Sequence, residues 1–131
     1  MKTQQVQTQQ IRPLSPHIQI YKWQITSVLS ILHRFTGIAL CGGLIGFIAW
    51  VYLLSLGASD YSYGMNLLSS PFGQFSLWSV LFSFNYHFLN GLRHLAWDMG
   101  LGFDMKDVNK SGIFVTILSA TLTFLMFMGW K

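Results

Sequence analysis

Between Arg34 and Asp60 the chain reads FTGIALCGGLIGFIAWVYLLSLGAS, residues 35–59, without a charge. That exceeds the roughly 20 residues an α-helix needs to cross the hydrocarbon core of a bilayer. Two more uncharged stretches follow, residues 61–92 between Asp60 and Arg93, and residues 111–130 between Lys110 and Lys131. The pattern predicts an all-α integral membrane bundle of three transmembrane helices. Composition agrees: of 131 residues, 52% are hydrophobic and 9% charged, against roughly 25% charged in a soluble domain.

The first helix is expected to start at Gln24 to Ser27 and run to about Leu56. A loop containing Asp60, Tyr61, Tyr63, Gly64 and Pro71 then leads to a second helix over roughly Phe75 to Trp97. A short connection, DMGLGFDMKDVNKSG, leads to a third, roughly Gly112 to Trp130. Gly42, Gly43 and Gly46 in the first span permit close helix contact, which in lipid replaces the hydrophobic effect as the source of association. Residues 1–23 read as a polar tail and surface segment, and residues 24–131 as one transmembrane domain. In RPLSPHIQIYK, residues 12–22, Pro13 and Pro16 oppose helix formation. Tyr21 and Trp23 fit a membrane interface. Met1 to Gln10 has neither the apolar core of a signal peptide nor the repeated Arg of a mitochondrial presequence.

Several chemistries lack material. The acidic residues are Asp60, Asp98, Asp104 and Asp107, with no Glu, so paired-carboxylate catalysis has little to draw on. Cys41 is the single cysteine. It supports neither an intrachain disulfide nor an unaided iron-sulfur or zinc site, and a buried packing role is expected for it. The net charge of +4 comes without a basic cluster interleaved with aromatics, so no nucleic-acid partner is expected. Lys2, Arg12 and Lys22 precede the first span and Arg93, Lys106 and Lys110 flank the second connection, while the first connection carries no Lys or Arg. The positive-inside tendency then puts the N-terminus and the second connection on the cytoplasmic or matrix side.

That orientation brings Ser30, His33, Arg34, Arg93 and His94 to one membrane surface. Ionisable residues within spans are costly and usually face the bundle interior or a wet cavity; Arg34 and Arg93 taken singly also suit snorkelling to headgroups. His87 lies deeper and needs a partner. At about 100° per residue, Ser76, Ser83, Gly91 and His94 lie within about 40° of His87, whereas Phe82, Phe84, Leu89 and Leu92 project elsewhere. This small, polar stripe suits either a flat macrocycle ligated by His87 or a helix-helix contact. His94, about 10.5 Å along the axis, would approach a propionate edge. His17, His33 and His94 lie in or before the inner-surface region, so a second histidine ligand would require another chain. On the first helix, Ser27, Ser30 and Arg34 lie within about 60° of one another. The pair Ser30 and Arg34 suits a carbonyl oxygen that gains charge on reduction, or equally a lipid phosphate.

Two segments carry a family resemblance. Ser30-Ile31-Leu32-His33-Arg34-Phe35-Thr36, preceded by Arg12-Pro13, and His87, Gly91, Arg93, His94 and Asp98 together resemble the two signatures of the cytochrome b556 subunit family of succinate dehydrogenase. The likeness covers Arg12 to Trp130. It implies the larger membrane anchor of respiratory complex II, a subunit of an enzyme that does not itself act on succinate. By this resemblance His87 is an axial ligand of haem b, with the other ligand from a small anchor subunit whose helices complete the bundle. His33 and His94 lie near the propionates, Ser30 and Arg34 line the ubiquinone site, and Arg93 and Asp98 have orientation or ion-pair roles. The segment at 12–23 docks on an iron-sulfur subunit. FAD and iron-sulfur clusters belong to the flavoprotein and iron-sulfur partners, in keeping with the absence here of nucleotide-binding motifs and cysteine ligands. The expected location is a bacterial cytoplasmic or mitochondrial inner membrane. Two rivals stand beside this reading: a fumarate reductase anchor using menaquinone, and a haem-free structural anchor whose His87 stripe is a packing surface.

Overall fold

In the computed structural model, residues 22–129 are described. They form four helices: α1 (Ile25–Leu56), α2 (Ala58–Ser69), α3 (Pro71–Asp98) and α4 (Met105–Gly129). The segment before Lys22, with His17 and most of the stretch expected to dock on an iron-sulfur subunit, lies outside the described residues, as does the end of the expected third span. At 1.5 Å per residue, α1 with 32 residues and α3 with 28 are about 48 Å and 42 Å long. Either length exceeds a bilayer core of about 30 Å.

The distribution of side chains is inverted relative to a soluble protein. Among the described residues, only Leu29, Tyr86 and Val115 are buried large hydrophobics, whereas Thr36, Ser83, Asn85, Asn90, Arg93 and Ser119 are buried polar or charged groups. Phe35, Ile38, Ile45, Phe84, Phe88, Phe114 and Ile117 are exposed. Such a chain is stable where the surroundings are as apolar as its own surface. By length and composition, α1 and α4 are the two described helices fit to span a membrane. α3 falls short on composition because Gln74, Asn85, Asn90 and Arg93 interrupt it. Yet its exposed face, Leu77, Phe84, Phe88, Leu92 and Leu95, is apolar.

α3 is the central element, packing on both α1 and α4. It runs antiparallel to α1: Tyr86 Oη donates to the Leu29 carbonyl at 3.0 Å near the start of α1, and a Cβ on Gly43, midway along α1, would meet Val80, earlier in α3, at 2.7 Å. Of the three glycines expected to allow close approach, Gly43 does so, while Gly42 and Gly46 have open space beside them. Cys41 corrects the sequence reading. It is exposed rather than buried, because α3 and α4 cover only one side of α1.

The connection expected as a loop is helix α2. Its Asp60 sits in the first turn, favourable to the helix dipole. Pro71 closes it and starts α3 at the first-turn position where the missing N–H costs nothing. Ser70 caps α3, its Oγ accepting from Gly73 N at 3.1 Å. The corner is tight: a Cβ on Gly73 would collide with the Leu67 carbonyl oxygen and lie 2.7 Å from Leu68 Cα.

Gly73→Ala should therefore destabilise the protein by the about 1–3 kcal/mol of an overpacked contact, more than the roughly 1 kcal/mol expected for Ser70→Ala through loss of the cap. Thermal denaturation in detergent measures both; an unchanged midpoint for Gly73→Ala would show that the corner is looser than drawn.

Candidate functional site

Tyr86, Asn90 and Arg93 lie at i, i+4 and i+7 on α3, the spacing of a single helical face, and all three are buried. This face turns between α1 and α4. Tyr86 reaches α1 through Leu29, as above. Arg93 reaches α4: its Nε donates to Ser111 Oγ at 2.9 Å and one terminal nitrogen to the Val108 carbonyl at 2.7 Å. The other donates to Asn90 Oδ1 at 3.2 Å. The guanidinium also lies 4.2 Å from the centre of the Trp97 ring, a cation-π contact. Trp97 Nε1 in turn donates to the Gly102 carbonyl at 3.3 Å. Gly100 and Gly102 have φ of 80° and 73°, a left-handed geometry that glycine adopts without strain, so the connection can fold back over Trp97. Arg93 is thus a clamp rather than a snorkelling cation. Of the roles the sequence offers it, these contacts are those of orientation; Asp98 is exposed on the last turn of α3.

The histidines lie on the α1 side of α3. The rings of His33 and His87 stack with centroids 4.0 Å apart and planes 10° apart, and the His94 ring lies 5.3 Å from that of His33. His87 Nδ1 is 3.1 Å from the His33 carbonyl oxygen and 3.2 Å from Thr36 Oγ1. A carbonyl can only accept, so Nδ1 carries a proton, and in the neutral ring the lone pair is on Nε2. An imidazole held in this way is suited to ligating a metal through Nε2. Among the described residues no group of three or more His, Cys, Asp or Glu could hold a bare metal ion. A haem asks less of the protein, since its macrocycle supplies the equatorial donors and only axial ligands are needed. His87 fits that demand.

Two hollows flank the histidines. One, of about 290 Å³, is lined by Thr26, Ser30, Asn90, Arg93, His94, Trp97, Phe103 and Val108. The other, of about 570 Å³ and largely apolar, lies between α1 and α3 and includes Thr36, Trp78, Phe82 and Ser83. Of the residues expected at one membrane surface, Ser30, Arg93 and His94 share the first hollow. Arg34 is one turn beyond Ser30 and exposed, and Ser27 is half-buried on the preceding turn. Ser76 donates to the Phe72 carbonyl of its own helix at 2.9 Å, so it is a backbone-bonded side chain rather than part of the histidine cluster. Tyr86 and Asn90 were not anticipated from sequence, although their spacing with Arg93 marks a polar face.

A family model described as succinate dehydrogenase/fumarate reductase transmembrane subunit matches residues 8–126. The chain is 45% identical over 115 residues to the succinate dehydrogenase cytochrome b556 subunit of Rickettsia bellii, covering 88% of this chain and 90% of that one. It is 43% identical to the Rickettsia felis protein of the same name with the same coverage. It is 42% identical over 112 residues to the mitochondrial succinate dehydrogenase cytochrome b560 subunit of Mus musculus, covering 82% of this chain and 65% of that one.

Replacing Arg93 by Lys should not restore the clamp, because one ammonium cannot reproduce a planar fork serving Asn90, Ser111 and Val108. A loss of about 1–3 kcal/mol is expected for a buried polar partner left unsatisfied. It is measured as the denaturation midpoint of the purified protein, and wild-type stability for Arg93→Lys would contradict the clamp.

Proposed function

This chain belongs to the succinate dehydrogenase/fumarate reductase transmembrane subunit family, and on that premise we propose that it is the haem b- and quinone-binding anchor of a succinate:ubiquinone oxidoreductase. The observation that carries this reading is the His87 ring, fixed through Nδ1 by the His33 carbonyl and Thr36 with its Nε2 lone pair left for iron. Haem b, when bound, supplies a one-electron store beside the quinone.

The chain's own residues do the rest. His87 would hold the haem iron, and a second ligand would come from a small hydrophobic anchor subunit, whose helices would cover the exposed apolar faces of α1, α3 and α4. α3 is the third span, with its hydrophilic atoms turned inward and its Phe and Leu side chains toward lipid and partner. His33 and His94, whose rings lie 5.3 Å apart, would serve the haem propionates. Ser30 donates a hydrogen bond to a quinone carbonyl, and Arg34, exposed one turn on, stabilises the negative charge that develops there on reduction. Ser27 lies on the same helix toward the membrane surface. Electrons come from a flavoprotein through an iron-sulfur subunit, and the basic end of the bundle, with Lys22, Lys106 and Lys110, faces the cytoplasm or matrix where those subunits dock. Fumarate reductase chemistry with menaquinone would use the same residues. The succinate dehydrogenase names of the relatives support the oxidising direction.

Purification in mild detergent should recover a flavoprotein, a cysteine-rich iron-sulfur protein and a second hydrophobic chain. The dithionite-reduced spectrum of that assembly should show a b-type haem, lost or weakened in His87→Ala; an unchanged spectrum removes His87 as ligand. Ser30→Ala and Arg34→Ala should each slow quinone reduction by about tenfold or more, in line with the about 1.5–3 kcal/mol of a hydrogen bond to a charged group. Succinate oxidation with a soluble artificial acceptor should persist. Full quinone activity in both variants would refute the pocket.

A further inference from the structure

We propose that Thr36 and Gly37 are positioning residues for His87, Thr36 by fixing the proton on Nδ1 and Gly37 by letting the ring lie against the backbone of α1. The proposal rests on the haem reading above and adds the device on α1 that sets the ligand's orientation.

Thr36 is buried, with 4% of its surface exposed. Its hydroxyl donates to the His33 carbonyl at 2.7 Å, a bond that a helical threonine often makes to its own helix. That back-bond alone would assign Thr36 no role toward α3. The difference lies in the third atom: His87 Nδ1 sits 3.2 Å from Thr36 Oγ1 and 3.1 Å from the same carbonyl oxygen. With the hydroxyl proton committed to the carbonyl, a lone pair on Oγ1 is available to Nδ1–H. Carbonyl and hydroxyl then both accept from the imidazole, and the opposite tautomer would set the Nδ1 lone pair against the carbonyl oxygen. Two acceptors on successive positions of the α1 surface fix the tautomer and the ring direction together. Outer hydrogen-bond partners of this kind orient ligating histidines and raise their basicity.

Gly37 supplies the space. A Cβ at this position would lie 3.1 Å from His87 Cε1 and 3.6 Å from Nδ1, so a methyl group there would push the ring off its two acceptors. Gly42 and Gly46, in the same helix, have nothing within 4 Å of such an atom. Gly43 also approaches α3 closely, against Val80, so Gly37 is the α1 glycine whose close contact is the histidine. Ser83, on the α3 face beside His87, and Thr36 both border the apolar hollow of about 570 Å³, so the positioned ring sits next to room for a flat apolar group.

The test uses the whole complex purified from membranes, with Thr36→Val, Thr36→Ser and Gly37→Ala. Three quantities are read: haem per complex from absorbance, the rate of haem transfer to an added acceptor globin, and the g-values of the ferric haem by electron paramagnetic resonance. Thr36→Val, close in shape but lacking the hydroxyl, should release haem about tenfold faster, the low end of losses from outer-partner mutations, and should shift the g-values. Thr36→Ser should match wild type. Gly37→Ala should shift the g-values with the hydroxyl intact. The proposal is overturned if Thr36→Val keeps the wild-type rate and spectrum, if Thr36→Ser is as damaging as Thr36→Val, or if Gly37→Ala leaves the g-values unmoved. If Thr36→Val fails to assemble, Thr36→Ser and Gly37→Ala decide the matter by the same criteria. Absence of haem from the wild-type complex would instead bring down the assignment of His87 as ligand, a distinct failure visible before any variant is made.

Discussion

Hydrophilic atoms placed at membrane depth must find their partners inside the protein, because lipid offers none. Most of the arrangement follows from that constraint. α3 carries the densest set of such atoms, so it is central, with α1 on one side and α4 on the other. Tyr86 is satisfied by a backbone carbonyl of α1, Arg93 by a hydroxyl and a carbonyl of α4, and Asn85 by Thr123 of α4 at 3.0 Å. Each bond replaces water that the bilayer excludes. Of the three long helices, the least apolar by composition is thereby the one most firmly held.

The same constraint separates the two flanks of α3. Toward α4, asparagine, arginine and serine bond to one another, and small residues set the distance: a Cβ on Gly112 would collide with Leu29 and lie 3.4 Å from the Arg93 guanidinium. A hollow of about 290 Å³ still opens beside Asn90, Arg93 and Val108, and Asn90 Nδ2 is buried without a protein partner. Toward α1, three imidazoles come together, Nδ1 of His33 is buried without a protein partner, and a largely apolar hollow opens beside Thr36 and Ser83.

Much of this was legible before any coordinates. Uncharged stretches gave the helices α1, α3 and α4, because charge is the most expensive thing to put in lipid. The basic residues at one end, with the antiparallel order, placed Ser30, His33, Arg93 and His94 together. Other features were not legible, for physical reasons. Residues 58–69 contain Ser, Asp, Tyr and Gly, which also make loops, and nothing local reveals that Gly64 packs close to Leu53 and allows a helix there. Cys41 was expected inside because free cysteine is usually buried. In a bilayer, however, an apolar thiol gains little by hiding. Arg93 offered two fates, headgroup or interior, and only the positions of Ser111 and Val108 on another helix decide between them.

The stripe through His87 has its centre elsewhere in the structure, and Ser76, expected on it, bonds to its own helix. Helical angles put Ser83, Gly91 and His94 around the imidazole, but the most deeply buried side chains of α3 are Tyr86 and Asn90, about 100° and 60° round from it. An amphipathic count cannot tell the middle of a buried face from its edge, because in a membrane helix the polar residues are drawn inward by two demands, satisfaction by neighbouring helices and contact with a ligand. Tyr86 and Arg93 answer the first, and Asn90 accepts from Arg93 beside them. His87 lies at the edge of the buried face and is only half-buried: a ring at the centre would be enclosed by α1 and α4, whereas one at the edge keeps a nitrogen open to a group arriving from outside the chain. On the proposed haem reading, that edge position is what a site shared with a second subunit would require.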